Sequence, residues 1–418
     1  MGDGLMRVLL KNRTLQTIAS ANFFTMLGVS LFNIILLTYA KDFHDPHWFV
    51  SIVSIVTVVP YVFGGLTGRL ADQTRRKTNW LISTKFIQAG LYLVLALIIN
   101  RRTASIFYTV VAINFISDLL GRYGGNILTI VIQDRVAPDD RQQVMGINTS
   151  VSTIIEPLGQ TLGVLIIAWW QNYALAGVVN ALTFILAAVC LLVGRSAIRT
   201  TPKVAVQPRH DRVWLVIQRV MMTTTGMGAV SYLGILMILN VATMSSDAIL
   251  NLMFIDLAPR MHVSYSAAIL MVNVVFVAGS VLGGITKNTW FDRFSLFQLL
   301  LAAILAPMVT YLILLALPRL LLILGGMFAV GFMSGKLDPK MFAIMMPQID
   351  PHLTGTVFGT ISSIVTLAAP VGSVGIVLLY NLVGATAACS LVIGMSALAL
   401  IWAVMVHQGD SMPLNKNI

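Results

Sequence analysis

Apolar stretches of roughly 20 residues recur from one end of this chain to the other, separated by short polar interruptions. Each is long enough to cross ~30 Å of hydrocarbon at ~1.5 Å of helical rise per residue. Twelve are predicted, at approximately 14–40, 48–68, 79–99, 105–132, 143–170, 173–194, 229–257, 264–286, 295–317, 320–346, 355–380 and 383–406. They are continuously apolar and longer than the ~10-residue alternating strands of an outer-membrane barrel, so helices are expected. The predicted fold is therefore an all-α membrane protein of about twelve transmembrane helices.

The longest polar interruption, 195–212, carries Pro202, Pro208 and five basic residues, and it divides the pattern in two. The stretch behind it, 213–224, reads either as an amphipathic helix on the membrane surface or as the start of the seventh span. The expected organisation is a six-helix bundle over 1–194, a basic linker over 195–224 and a second six-helix bundle over 225–418. Small and polar residues repeat between the halves at a nearly fixed offset. VMGINTSVSTIIEPLG (144–159) aligns with VFGTISSIVTLAAPVG (357–372), matching Gly146, Ser150, Pro157 and Gly159 to Gly359, Ser363, Pro370 and Gly372. ANFFTMLGVSLFN (21–33) aligns in the same way with LNVATMSSDAILN (239–251). Parallel repeats of this kind build rocking-bundle transporters, with a substrate site expected between the halves near the midplane and Pro157 and Pro370 as hinge candidates.

Composition sharpens this picture. Hydrophobic residues make up 57% of the 418 positions and charged residues 10%, too little polar surface to clothe a soluble globule. The formal charge of +11 does not point to nucleic acid, because the bases are segregated by loop. With the N-terminus inside, 18 of the 27 Lys and Arg fall in cytoplasmic segments and five, Lys41, Arg101, Arg102, Arg260 and Arg319, in external loops. The positive-inside rule then places both termini in the cytoplasm. Anionic lipid headgroups are expected partners of the basic side. Cys190 and Cys389 fall inside apolar spans, so no disulfide is expected, and no cleavable signal peptide is read at the N-terminus. His44, His47 and His262 lack metal-ligand spacing, and neither metal nor cofactor is expected.

Between spans two and three the chain reads Gly68-Arg-Leu-Ala-Asp72-Gln-Thr-Arg-Arg76-Lys77. Gly68 permits close helix approach, and an aspartate with a basic cluster at a helix end can pair across helices in one conformation only. This loop resembles that of the major facilitator superfamily, matching its motif at Gly68, Leu70, Ala71, Asp72, Arg76 and Lys77 and departing at Gln73 and Arg75. The second-half copy, GITKNTWFDR (284–293), is degenerate, with Asn288 where the aspartate would stand. IQDRVAPDDRQQVMGIN (132–148), followed by EPLG, resembles the macrolide-efflux and siderophore-exporter branch of that superfamily. The resemblance implies a multidrug-type antiporter in a bacterial inner membrane. It also makes Asp72 and Asp134 a conformational latch with Arg76 and Arg135 as partners, although Asp134 as a plain helix cap stays open.

Ionisable residues inside spans are costly unless paired or wet. The acids are Asp118, Glu156, Asp247 and Asp338, and the bases are Lys85, Arg122, Lys336 and Lys340. Asp118 and Arg122 stand four apart on one helix face and can pair. Glu156 is the only glutamate of the chain and directly precedes Pro157. It is read either as a proton or substrate site or as one half of a buried pair with Lys85 or Arg122. Asp338 lies in GKLDPK, where Gly335 and Pro339 suggest a broken helix lining the pathway, or a local ion pair with Lys336 and Lys340. Asp247 is a cavity residue or a partner for a base. Met26, Met244, Met253, Met333, Met341 and Met345 suit either a promiscuous apolar cavity or plain filling.

No Walker loop, Gly-x-Ser-x-Gly or Cys/His cluster is present, so no enzyme is expected and the driving energy must come from a gradient. The expected function is proton-coupled efflux of amphipathic small molecules by a monomer. The alternatives are a lipid or glycolipid translocase, using Lys336 and Lys340 as a headgroup patch, or a carrier of one specific metabolite. A membrane scaffold or sensor is disfavoured, because it gives no reason to bury eight ionisable residues.

Overall fold

The computed structural model describes residues 12–44, 46–200, 211–263, 265–286 and 290–409; the side chains of some helical residues, Asp247 and Pro370 among them, lie outside the described set, as does Asn288. Within it the chain is all-helical. Fourteen α-helices are described: α1 (Arg13–Lys41), α2 (Pro46–Val62), α3 (Gly64–Gln73), α4 (Lys77–Ile98), α5 (Ala104–Arg135), α6 (Pro138–Trp170), α7 (Tyr173–Val193), α8 (Asp211–Thr225), α9 (Ala229–Arg260), α10 (Tyr265–Ile285), α11 (Leu296–Ala316), α12 (Leu320–Met345), α13 (Thr354–Val383) and α14 (Ala385–Gly409). Ten of them are long and apolar enough to cross a membrane among the described residues. The other two expected spans correspond to α2 and α13.

Local chemistry sets several boundaries. Asn12 accepts from Leu15 N–H to start α1, Thr103 from Ile106 N–H to start α5, and Asn172 from Ala174 and Leu175 N–H to start α7, each satisfying an orphan donor of a first turn. Pro138 opens α6 with Asp139 and Asp140 behind it, so this helix begins five residues before the predicted span. Ser295 and Gln298 form a reciprocal capping box on α11. The second predicted span is interrupted: α2 ends at Val62 and α3 begins at Gly64, leaving Asp72 in the last turn of a short separate helix. Helix α8 is distinct from span seven, because Gly226 at φ +69° reverses the chain before α9. Its Val213, Ile217, Val220 and Met221 are buried while Trp214 and Leu215 are exposed.

Two compact units are present, Met1–Pro208 with Asp350–Thr360, and Arg209–Ile349 with Ile361–Ile418. Helix α13 therefore begins in the first unit and continues into the second. The first unit's core surrounds Leu31, Phe32, Ile35, Tyr39, Tyr92, Phe107 and Phe184. There α1 packs on α6 through missing side chains: a Cβ on Gly159 would lie 2.8 Å from Ser30 Cβ, and one on Gly163 would lie 2.6 Å from the Leu31 carbonyl. The second unit's core surrounds Ile249, Phe254, Tyr311, Ile323 and Val392.

Candidate functional site

Helix α3 meets the start of α13 backbone to backbone. A Cβ on Gly68 would sit 2.0 Å from the Gly355 carbonyl oxygen, and one on Gly359 would sit 2.1 Å from the Gly64 carbonyl oxygen. Two glycines four residues apart on each helix thus give the smooth surfaces that close crossing requires. The approach carries Asp72 onto the first turn of α13. One carboxylate oxygen accepts the Gly355 N–H at 2.8 Å, and the other accepts the Thr356 N–H at 2.7 Å and the Thr356 hydroxyl at 2.6 Å. Asp72 thereby caps a helix that begins 282 positions further along the chain (354 − 72). The carboxylate satisfies orphan backbone donors at the positive end of the helix. Thr354 adds a bond to the Gln133 side chain.

Asp72 is buried, and loss of hydration pushes its carboxyl up to about 6, against the downward pull of the Thr356 and Gly355 hydrogen bonds and of Lys77. Lys77 donates to the carbonyls of Ala71, Asp72 and Thr74, closing the end of α3. Arg76 is exposed. Asp134 lies close by, lining with Asp72, Lys77 and Gln133 a cavity of about 110 Å³. Arg135 turns the other way and donates to the carbonyls of Ser196 and Ala197. So the partner of Asp72 is a helix N-terminus, where Arg76 and Arg135 were the expected partners. Gly64, Gly355 and Thr356 were not anticipated; the Gly-x-x-x-Gly spacing at 64/68 and 355/359 was the available signal.

Among the described residues, the intramembrane charges fall into separate local groups. In the first unit, Lys85 is buried, donates to Gln88 Oε1 at 3.1 Å and lies 5.5 Å over the Phe184 ring. Gln88 donates onward to the Ser117 carbonyl. Tyr92 donates to Asn114 Oδ1, and Asn114 Nδ2 donates to Asp118 at 3.0 Å. Asp118 and Arg122 interact electrostatically as expected, while Asp118 also accepts from Asn114 and the Arg122 guanidinium stacks 3.3 Å from the Tyr61 ring centre. The two bases considered for Glu156 are thus engaged elsewhere. Glu156 itself is exposed on α6, which runs unbroken through Pro157. On the neighbouring turn, Asn22 of α1 donates to Ser152 Oγ and to the Asn148 carbonyl.

In the second unit α12 is continuous through Pro339, which corrects the expected break in GKLDPK. The expected local group is also separated. Lys336, whose side chain is fully buried, pairs with Asp292 at 2.9 Å and donates to the Thr286 carbonyl. Lys340 donates to the carbonyls of Asp292 and Phe294. Asp338, about 200° around the helix from both lysines, is exposed on another face. No group of three or more His, Cys, Asp or Glu able to hold a metal occurs among the described residues.

Two compact helical units, membrane-length apolar helices and a glycine-lined helix contact capped by an aspartate define a polytopic helical membrane protein. The chain belongs to the Major Facilitator Superfamily, whose family model matches residues 18–373. No curated protein sequence matches it. Among solved structures it is similar to the human organic anion transporter MFSD10 (TETRAN), with TM-score 0.69 and 16% identity over 94% of this chain and 99% of that one. It is also similar to a bacterial homologue of the iron transporter ferroportin in an outward-facing state, with TM-score 0.66 and 14% identity over 96% of this chain and 100% of that one. At these identities the likeness is one of fold.

Proposed function

We propose that this protein is a secondary active transporter performing proton-coupled efflux of amphipathic small molecules by alternating access, as a multi-pass protein of a bacterial cell membrane with both termini cytoplasmic. The observation that carries the reading is the capture of the α13 N-terminus by Asp72. The contact is made through hydrogen bonds and closely approaching glycine backbone, and a contact of that kind can form in one state and be absent in another. A contact of that kind biases a two-state equilibrium by its own free energy. Family membership supports transport, and the absence of a nucleotide-binding motif leaves a gradient as the energy source.

In this reading Glu156, exposed on a membrane-length helix beside Asn22, Asn148 and Ser152, loads and releases the coupling proton. The test is Glu156→Gln in proteoliposomes. Accumulation driven by a proton gradient should vanish while passive substrate exchange persists, because the isostere removes titration at nearly constant volume. Full proton-driven accumulation by the variant would remove the coupling role. The lipid-translocase alternative is weakened, because Lys336 and Lys340, its headgroup patch, are occupied by Asp292 and by the carbonyls of Thr286, Asp292 and Phe294.

A further inference from the structure

A cleft of about 840 Å³ opens at one end of the first unit, between the loop that leads into α4 and the segment that leaves α7. Its walls carry Arg75, Arg76, Lys77, Arg195 and Arg199, and its lining contains no carboxylate. Five cations around one space repel one another and would be expected to splay into water unless something holds them. Here the backbone holds them. The segment behind Arg195 is pinned to three helices: Arg135 of α5 donates to the Ser196 and Ala197 carbonyls, Thr14 of α1 to the Ala197 carbonyl, and Thr78 of α4 to the Ile198 carbonyl, with Ile198 itself fully buried. Arg195 is further oriented by a 2.9 Å bond to the Asn79 side chain. On the opposite wall Lys77 fixes the loop by donating to three carbonyls. The first turn of α4 adds the positive end of a helix.

The rest of the lining is polar at Thr78, Asn79, Ser196 and Thr200 and apolar at Leu192 and Val193. Leu192 and Val193, at the last turn of the membrane-length helix α7, are 43% and 83% exposed. Such side chains at the end of a membrane-crossing helix belong among lipid tails and headgroups. We propose that this cleft is a binding site for the headgroup of an anionic phospholipid: the phosphate sits among Arg75, Arg76, Arg195 and Arg199, and the acyl chains run down past Leu192 and Val193. The chemistry recognised is a phosphate, which a soluble anion also carries; the apolar walls select the lipid. Guanidinium groups suit it, since each offers two parallel donors to a phosphate. The volume lies in the range of about 300–1,000 Å³ typical of sites that enclose a small ligand. This cleft adjoins the cavity beside Asp72, sharing Arg75, Lys77 and Thr200 with it, but its lining includes neither Asp72 nor Glu156, and the proposal does not depend on the transport reading.

The experiment is native mass spectrometry of the purified full chain with an equimolar mixture of phosphatidylglycerol and phosphatidylcholine, compared with Arg75→Gln/Arg199→Gln and with the charge-conserving Arg75→Lys/Arg199→Lys. Phosphatidylglycerol should be retained over phosphatidylcholine. The neutral double variant should lose roughly tenfold or more of that preference, at about 1 kcal/mol for each basic residue near a lipid surface. The lysine variant should keep most of it. Retention by the unaltered protein should fall as salt rises, a result independent of how either variant folds. Equal retention of the two lipids, or salt-insensitive retention, overturns the proposal. So does undiminished phosphatidylglycerol binding by a neutral variant with an unchanged melting temperature. Displacement of the bound lipid by millimolar pyrophosphate or inorganic phosphate would instead assign the site to a soluble anion, and the lipid assignment would fall.

Discussion

The segment after α2 and the segment after α10 each carry an aspartate, at different positions of the degenerate repeat, and the two are held in opposite ways. In the first unit Asp72 reaches the N-terminus of α13, and its partners are two backbone N–H groups and a hydroxyl, all neutral. In the second unit Asp292, in the short turn Trp290–Arg293, is answered by the ammonium of Lys336, while Lys340 binds the carbonyls on either side of that turn. The glycines divide the same way. Gly64 and Gly68 face Gly359 and Gly355 within the first unit, and Gly279, Gly283, Gly331 and Gly335 hold α10 against α12 within the second, a Cβ on Gly335 falling 2.1 Å from the Ser280 carbonyl. A buried ion pair is costly to break because each ion left behind is unsolvated. A capped helix end is cheaper to release, since water can replace the cap. By this argument the second contact is the costlier of the two to break.

Breaking each loop should separate stability from conformational balance. The largest effect is expected from Lys336→Met, which removes the ammonium paired with Asp292 and should cost about 3–5 kcal/mol, read as a fall in unfolding temperature. A melting temperature within a degree of the unaltered protein would show that the pair contributes nothing. Next is Asp72→Ala. It leaves the Gly355 and Thr356 N–H groups without an acceptor and should weaken the α3–α13 contact by about 2–3 kcal/mol. Spin labels at positions 75 and 351 should report a longer or broader distance distribution while the unfolding temperature moves little. Unchanged distances would remove the contact from the switching machinery.

Gly68→Ala should follow at about 1–3 kcal/mol, because the new methyl must push the Gly355 carbonyl away. It too should act on the 75–351 distance, whereas Gly283→Ala, which would meet the Phe332 carbonyl at 2.3 Å, should act on unfolding. Equal thermal losses in both variants would erase the proposed difference between the loops. The smallest effect is the proton's. The Asp72 carboxyl in contact with α13 titrates near 6, above the ordinary 3.8, so the contact takes up a proton more readily than the free carboxyl does. Acidification from pH 7 to pH 5 should therefore favour the contact by roughly tenfold, with the preference fading as pH rises through 6. Asp72→Asn should abolish this pH dependence. A contact that opens on acidification would reverse the sign and reject the desolvation argument.

Much of this molecule was legible from residue pattern. Hydropathy located the membrane-length helices, and the loop between spans two and three identified Gly68 and Asp72 because their chemistry demands a close approach and a partner. Local pairings were read less well. Asp118 and Arg122 do interact across the four-residue step, but their nearest contacts, Asn114 and Tyr61, were not read. Gly335 and Pro339 look like a break. The helix nevertheless continues, because one missing N–H is tolerated where neighbouring helices pack tightly, and Gly335 is needed against Ser280. Lys336 and Lys340 appeared to belong with Asp338 by proximity in sequence, but a 200° step around the helix separates them.

What the sequence determined by itself is whatever depends on local composition: which segments leave water, where helices are capped, and which side chains carry a charge into the apolar region. Tertiary structure alone decided the partners. The groups that hold Asp72 are backbone amides of Gly355 and Thr356, and every residue but proline carries such an amide, so no side-chain pattern could mark them as the counterpart. They become donors only because Thr354 begins a helix, leaving its first amides unpaired, and because glycines on both helices let that end come within hydrogen-bonding distance of a carboxylate.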